Sequence, residues 1–170
     1  MNKENTIMKK IKLLTLILTI PLIFSGCGEG DVGSPKEDSS ESQINLDQSK
    51  YEDNLEGLQS YLQDMDLISG QSTDMLSEIV NAKKGVKYTF KRNNSNVTAE
   101  IYEFETANEE AASQINSKGT LNILDKDVPA TISNNKKYLL IYSDKSTNAQ
   151  NIDKADKIKQ AVKAFKEDSI

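Results

Sequence analysis

The residues best able to do chemistry are few. The chain has one cysteine, Cys27, and no histidine. Without histidine there is no imidazole to serve as general base, and neither a cysteine zinc site nor a mixed cysteine and histidine one can be built. One cysteine also excludes an intramolecular disulfide. Tryptophan is absent, which removes the strongest aromatic platform for cationic groups. Two catalytic chemistries remain: paired carboxylates, as in glycoside hydrolysis, and a serine activated by a lysine. Among 26 acidic and 21 basic residues no spacing singles out such a pair. The expectation is therefore a chain with no catalytic, cofactor or metal residues.

Three groupings suit binding better than reaction. Asp125-Lys126-Asp127 sets two carboxylates close together but lacks the glycine and the terminal glutamate of a calcium loop, so it reads as a polar turn. Lys83, Lys84, Lys87, Lys91 and Arg92 form the densest basic stretch. Strand alternation puts Lys87 and Lys91 on one face, where they could meet a phosphate or an anionic wall polymer, or simply face water. The net charge of -5 argues against nucleic acid. Six tyrosines are the main aromatic resource. Tyr102 is opposite in phase to Ile101 and is expected to face solvent as part of a binding surface. The others read as core residues with a hydroxyl at the rim.

The N-terminus carries an address. Lys3, Lys9, Lys10 and Lys12 stand against Glu4 alone, and the uncharged run Leu13 to Phe24 leads into Ser25-Gly26-Cys27. A basic start, a short apolar middle and small residues at a cleavage site make a secretory signal. At about 12 residues the run falls short of the roughly 20 that a membrane-spanning helix needs. Ser25-Gly26-Cys27 resembles the lipobox of bacterial lipoproteins, with Phe24 where leucine is usual. The resemblance implies a diacylglyceryl group on the Cys27 sulfur, cleavage between Gly26 and Cys27, and residence on the outer face of the cytoplasmic membrane. Two acyl chains on one residue give stable anchoring where one does not. The arrangement and the Lys, Asn and Ile richness are similar to small lipoproteins of low-GC Gram-positive bacteria, which implies no activity.

From residue 28 to residue 50 the chain is Gly, Ser, Asp, Glu and Gln with almost no apolar residues, the composition of a disordered polar tether. Residues 51–170 then read as a single domain. Tyr51, Leu55, Leu58, Leu62 and Met65 mark one helix face, and a second short helix is expected over 73–82 with Met75, Leu76, Ile79 and Val80 inward. The period then drops to two. Val86, Tyr88 and Phe90, an Asn-rich turn, and Val97, Ala99 and Ile101 predict a hairpin. Thr106 to Glu109 has the form of a capping box opening a helix to Ser117, stopped by Gly119. Residues 128–133, an Asn134-Asn135 turn and 138–142 predict a second hairpin, with 120–124 as a further short strand or connection. Ile152, Ala155, Ile158, Val162 and Phe165 predict a closing helix.

The expected fold is α+β: a two-layer domain whose antiparallel sheet has two ββα-like halves with helices on one face, preceded by two helices. Two functions follow. The first is a non-enzymatic binding or accessory role in the cell envelope, toward a protein, a peptide or a wall polymer, held near its partner by the lipid on Cys27. The alternative is a small envelope hydrolase using carboxylates or a Ser and Lys pair, which requires a pocket with convergent, shifted groups.

Overall fold

A computed structural model describes residues 46–167. The expected signal peptide 1–26, the lipid site Cys27 and the tether as far as residue 45 lie outside the described residues. The expected tether runs to residue 50, yet its last residues pack. Gln48–Lys50 form a short 3-10 turn started by Asp47, and Leu46 and Tyr51 are half-buried against the core.

Helix α1 (Leu55–Asp64) begins at Asn54, whose side chain accepts the Gly57 N–H at 2.8 Å. Such a cap satisfies one of the amides that a first helical turn leaves free. Leu55, Leu58, Tyr61 and Leu62 are buried on one stripe, as their spacing predicts. Strands β2 (Lys84–Arg92) and β3 (Ser95–Glu103) are joined by Asn93 and Asn94 with φ of 46° and 65°. Asparagine tolerates this left-handed backbone, and two such residues make the turn whose twist matches the strands.

Helix α2 (Glu109–Lys118) ends at Gly119, φ 71°. A hairpin of β4 (Thr120–Ile123) and β5 (Lys126–Pro129) follows as a separate sheet. Then come β6 (Thr131–Ile132), β7 (Tyr138–Asp144) and helix α3 (Ala149–Ala164). With β1 (Thr73–Asp74), the main sheet has the order β1-β2-β3-β7-β6, antiparallel throughout.

The α+β class holds, and four finer expectations are corrected. The helix expected over 73–82 is instead strand β1 followed by a 3-10 turn, Glu78–Val80. Residues 73–75 pair with the free edge of β2, and Asn81 in the left-handed region stops the turn. Of the four residues expected inward, Val80 is buried and Leu76 is 74% exposed.

The helices do not share one face. Val86, Ile101 and Leu140 face α1 and α3, whereas Tyr102 and Leu139 on the reverse side pack with Ala111, Ala112 and Ile115 of α2. The strand expected over 128–133 breaks at Ala130 into β5 and β6, in different sheets, so the second half of the chain does not repeat the first. Finally, the cap of α2 is Asn108, which accepts the Ala111 N–H at 2.9 Å, and not the box begun by Thr106.

Candidate functional site

α1 lies over the sheet, held at its N-terminal end and middle by side chains of β2, β3 and β7 and by Lys137 beside β7. Glu103, buried at the end of β3, accepts the Leu55 N–H through Oε2 at 3.0 Å. A carboxylate suits the positive end of a helix. Asp53, just before the helix, accepts hydrogen bonds from the Tyr138 hydroxyl and the Lys137 ammonium, both at 2.7 Å. Burial works against the Asp53 charge, but these two partners hold its carboxyl below the usual range. Further along, the Tyr88 hydroxyl donates to Gln59 Oε1 at 2.7 Å.

Between α1 and the β1–β2 edge lies a cleft of about 430 Å³, within the size range of small-ligand sites. Buried Leu55 and Val86 contribute its apolar lining. Glu56 and Gln59 line it from α1; Ser72, Asp74, Met75 and Ser77 line it from the edge segment; Lys83, Lys84 and Gly85 come from the start of β2 and the residue before it. Gly85 is required here because Tyr102 lies against it: an added Cβ would stand 2.6 Å from the Tyr102 ring.

The charges of the cleft are balanced and largely engaged. Lys84 Nζ sits 2.8 Å from Glu56 Oε1, and Lys83 Nζ sits 3.2 Å from Glu105. The hydrogen bond to Lys84 lowers the Glu56 carboxyl, and the same bond raises the Lys84 ammonium. A general acid needs the first shift reversed, and a lysine base needs the second reversed. The pair is built to stay charged. Asp74 makes no ion pair or side-chain hydrogen bond among the described residues.

The basic stretch does not gather into a site. Lys83 and Lys84 enter the cleft wall, and Lys87 pairs with Glu100 across the hairpin at 3.0 Å. Lys91 is exposed on the strand edge. Arg92 is structural: it donates to the Leu67 carbonyl at 2.9 Å and lies over the Phe90 ring. Asp125 is a turn residue of the β4–β5 hairpin, φ 62°, and Asp127 faces Asn122 across it. No group of three or more metal-ligating side chains forms among the described residues.

Tyr102 corrects the expectation of a solvent-facing residue, since it is fully buried beneath α2. Burial, with the nearby Glu100 carboxylate, pushes its hydroxyl up to about 12. The reason is that the reverse face of the sheet is covered at this end by α2 and the loop after β1. Tyr61 and Tyr138 pack with Phe165, as the rim reading expected. Sequence reasoning missed Glu56, Gln59, Ser72, Asp74 and Ser77 as neighbours. They come from two separated polar segments and carry no shared spacing.

Comparison with protein-family models, with curated proteins and with solved structures finds no match to this chain.

Proposed function

We propose that this chain is a lipid-anchored protein of the cell envelope, held on the outer face of the cytoplasmic membrane through Cys27, whose domain binds a partner at the α1–β1 cleft without catalysing a reaction. The address is supported by the basic, apolar and small-residue order of residues 3 to 27. Among the described residues no helix is long and apolar enough to cross a membrane.

The observation that carries the binding role is the Glu56–Lys84 pair. It sets two opposite charges 2.8 Å apart on the cleft wall, where they can meet the polar groups of a partner. Beside it are unused polar groups, the Asp74 carboxylate and the Ser77 hydroxyl, in a cleft whose lining is mainly polar. Tethering adds to this. A modest affinity suffices when both partners are confined near one membrane, because confinement raises their effective concentration.

The test addresses the anchor. Intact mass and membrane fractionation compare the wild type with Cys27→Ser. The expected wild type begins at Cys27, carries added lipid mass and pellets with membranes, whereas the variant is unlipidated and leaves the membrane fraction. Identical masses and identical soluble behaviour of the two would remove the anchor from the proposal.

A further inference from the structure

The cleft runs along an edge of the sheet, and that edge is open. β1 meets β2 at Thr73, opposite Lys87, and continues to Met75, whose N–H donates to the Gly85 carbonyl at 2.9 Å. Backbone groups alternate in direction along an extended strand. The N–H and C=O of Ser72 and Asp74 therefore point off the sheet. β1 is its outermost strand, and no main-chain bond from another described segment reaches these two residues.

Ser72 and Asp74 are also cleft-lining residues, facing α1 across the groove. A groove bounded by a free strand edge and a helix accepts an extended peptide as an additional strand. Main-chain bonds supply affinity, and alternate side chains enter the groove.

Two further observations fit that occupant. Leu76, between the lining residues Met75 and Ser77, is 74% exposed and offers apolar contact beside the edge. The Asp74 carboxylate has no partner in the described domain and can meet a cation on the incoming chain. The edge of β2 beyond Lys87 is less suited. Its outward positions are Thr89 and Lys91, and an edge lysine opposes strand addition.

We infer that the cleft receives an extended peptide segment of a partner protein as an added strand along Ser72 to Asp74, with an apolar residue beside Leu76 and a basic residue near Asp74. This rests on the reading of the cleft as the binding site and names the class of its ligand.

The probe is a peptide selected from a phage-displayed random library on the full chain in detergent, then synthesised and titrated. It is measured against wild type, Asp74→Pro, Asp74→Ala, Glu56→Ala and Gln59→Ala. Proline at 74 removes an N–H that the domain does not use, and edge positions with the N–H toward solvent accept proline. The expected result is a Kd weakened by about tenfold or more in Asp74→Pro and by less than about threefold in Asp74→Ala, because strand addition relies on the main chain. Amide hydrogen exchange at Ser72 and Asp74 slows when the wild type is saturated. That readout decides the matter if the proline variant loses its cooperative thermal transition.

Equal loss in Asp74→Pro and Asp74→Ala, with both amides unprotected, overturns strand addition and leaves the cleft as a binding site. A peptide indifferent to all four substitutions overturns the cleft reading as well. Failure to enrich any peptide overturns the peptide inference alone.

Discussion

Gly85 lacks a side chain where the Tyr102 ring needs the space, and the two residues are directly opposite in the β2–β3 register. Gly85→Ala is expected to force the ring aside and destabilise the domain by about 1–3 kcal/mol, the usual cost of overpacking a core. Chemical denaturation of variant and wild type checks this. Asp144 sets a pH dependence. Burial opposes its charge, but hydrogen bonds from Ser95, from the Ser146 N–H and from Asn151 outweigh burial and lower its carboxyl below the ordinary 3.8. A lowered folded value means that the carboxylate stabilises the fold fully above 3.8 and loses that contribution as pH falls toward the folded value. Asp144→Asn is therefore expected to be less stable than wild type at neutral pH, with the gap closing as pH falls below 3.8 toward the lowered folded value. Thermal melts across that range measure it, and a gap independent of pH contradicts the assignment.

The β4–β5 hairpin turns through Leu124 and Asp125, φ 49° and 62°. Leucine is poorly suited to that backbone, and Leu124 is 76% exposed, so its side chain recovers little by burial. Leu124→Gly relieves a left-handed strain of about 1–2 kcal/mol but adds freedom to the unfolded chain. A net rise in stability of about 0.5–1 kcal/mol is expected from these opposing terms, read as a higher denaturation midpoint. The Asn93-Asn94 turn was legible because its residues suit left-handed backbone; the Leu124–Asp125 turn was read one residue late, at Asp125 to Asp127, because leucine disguises its first position as strand. The segment 73–82 misled for a related reason. Met75, Leu76, Ile79 and Val80 have helical spacing, but the unpaired edge of β2 offered residues 73–75 hydrogen bonds that a helix would forgo. In α3 the period was right, yet Ile152 faces out while Asn151 is buried, its amide bonded to the Arg92 carbonyl at 3.1 Å and to Asp144 at 2.7 Å. A polar residue claimed the inward position because the hairpin turn needed its donors. The cleft was illegible for another reason: a free strand edge and its facing helix exist only once distant segments have met.

At the scale of the molecule, the first and last described segments hold each other. Gln48 accepts the Lys166 backbone N–H through Oε1 and the Lys166 ammonium through its carbonyl, both at 2.7 Å. Leu55, Leu58 and Leu62 of α1 share one core with Ile158, Val162 and Phe165 of the closing helical segment. Removing the chain from residue 149 onward takes away one wall of that core and is expected to abolish cooperative unfolding, measured by thermal and urea transitions monitored in parallel. This closure sets the timing of folding. Because α3 is synthesised after the other described elements it packs against, an emerging chain has no complete core until α3 is available. Contacts so distant in sequence also form slowly. For a chain exported as proposed, the delay is useful: the domain remains threadable until α3 has crossed the membrane, and α3 is the element that locks it.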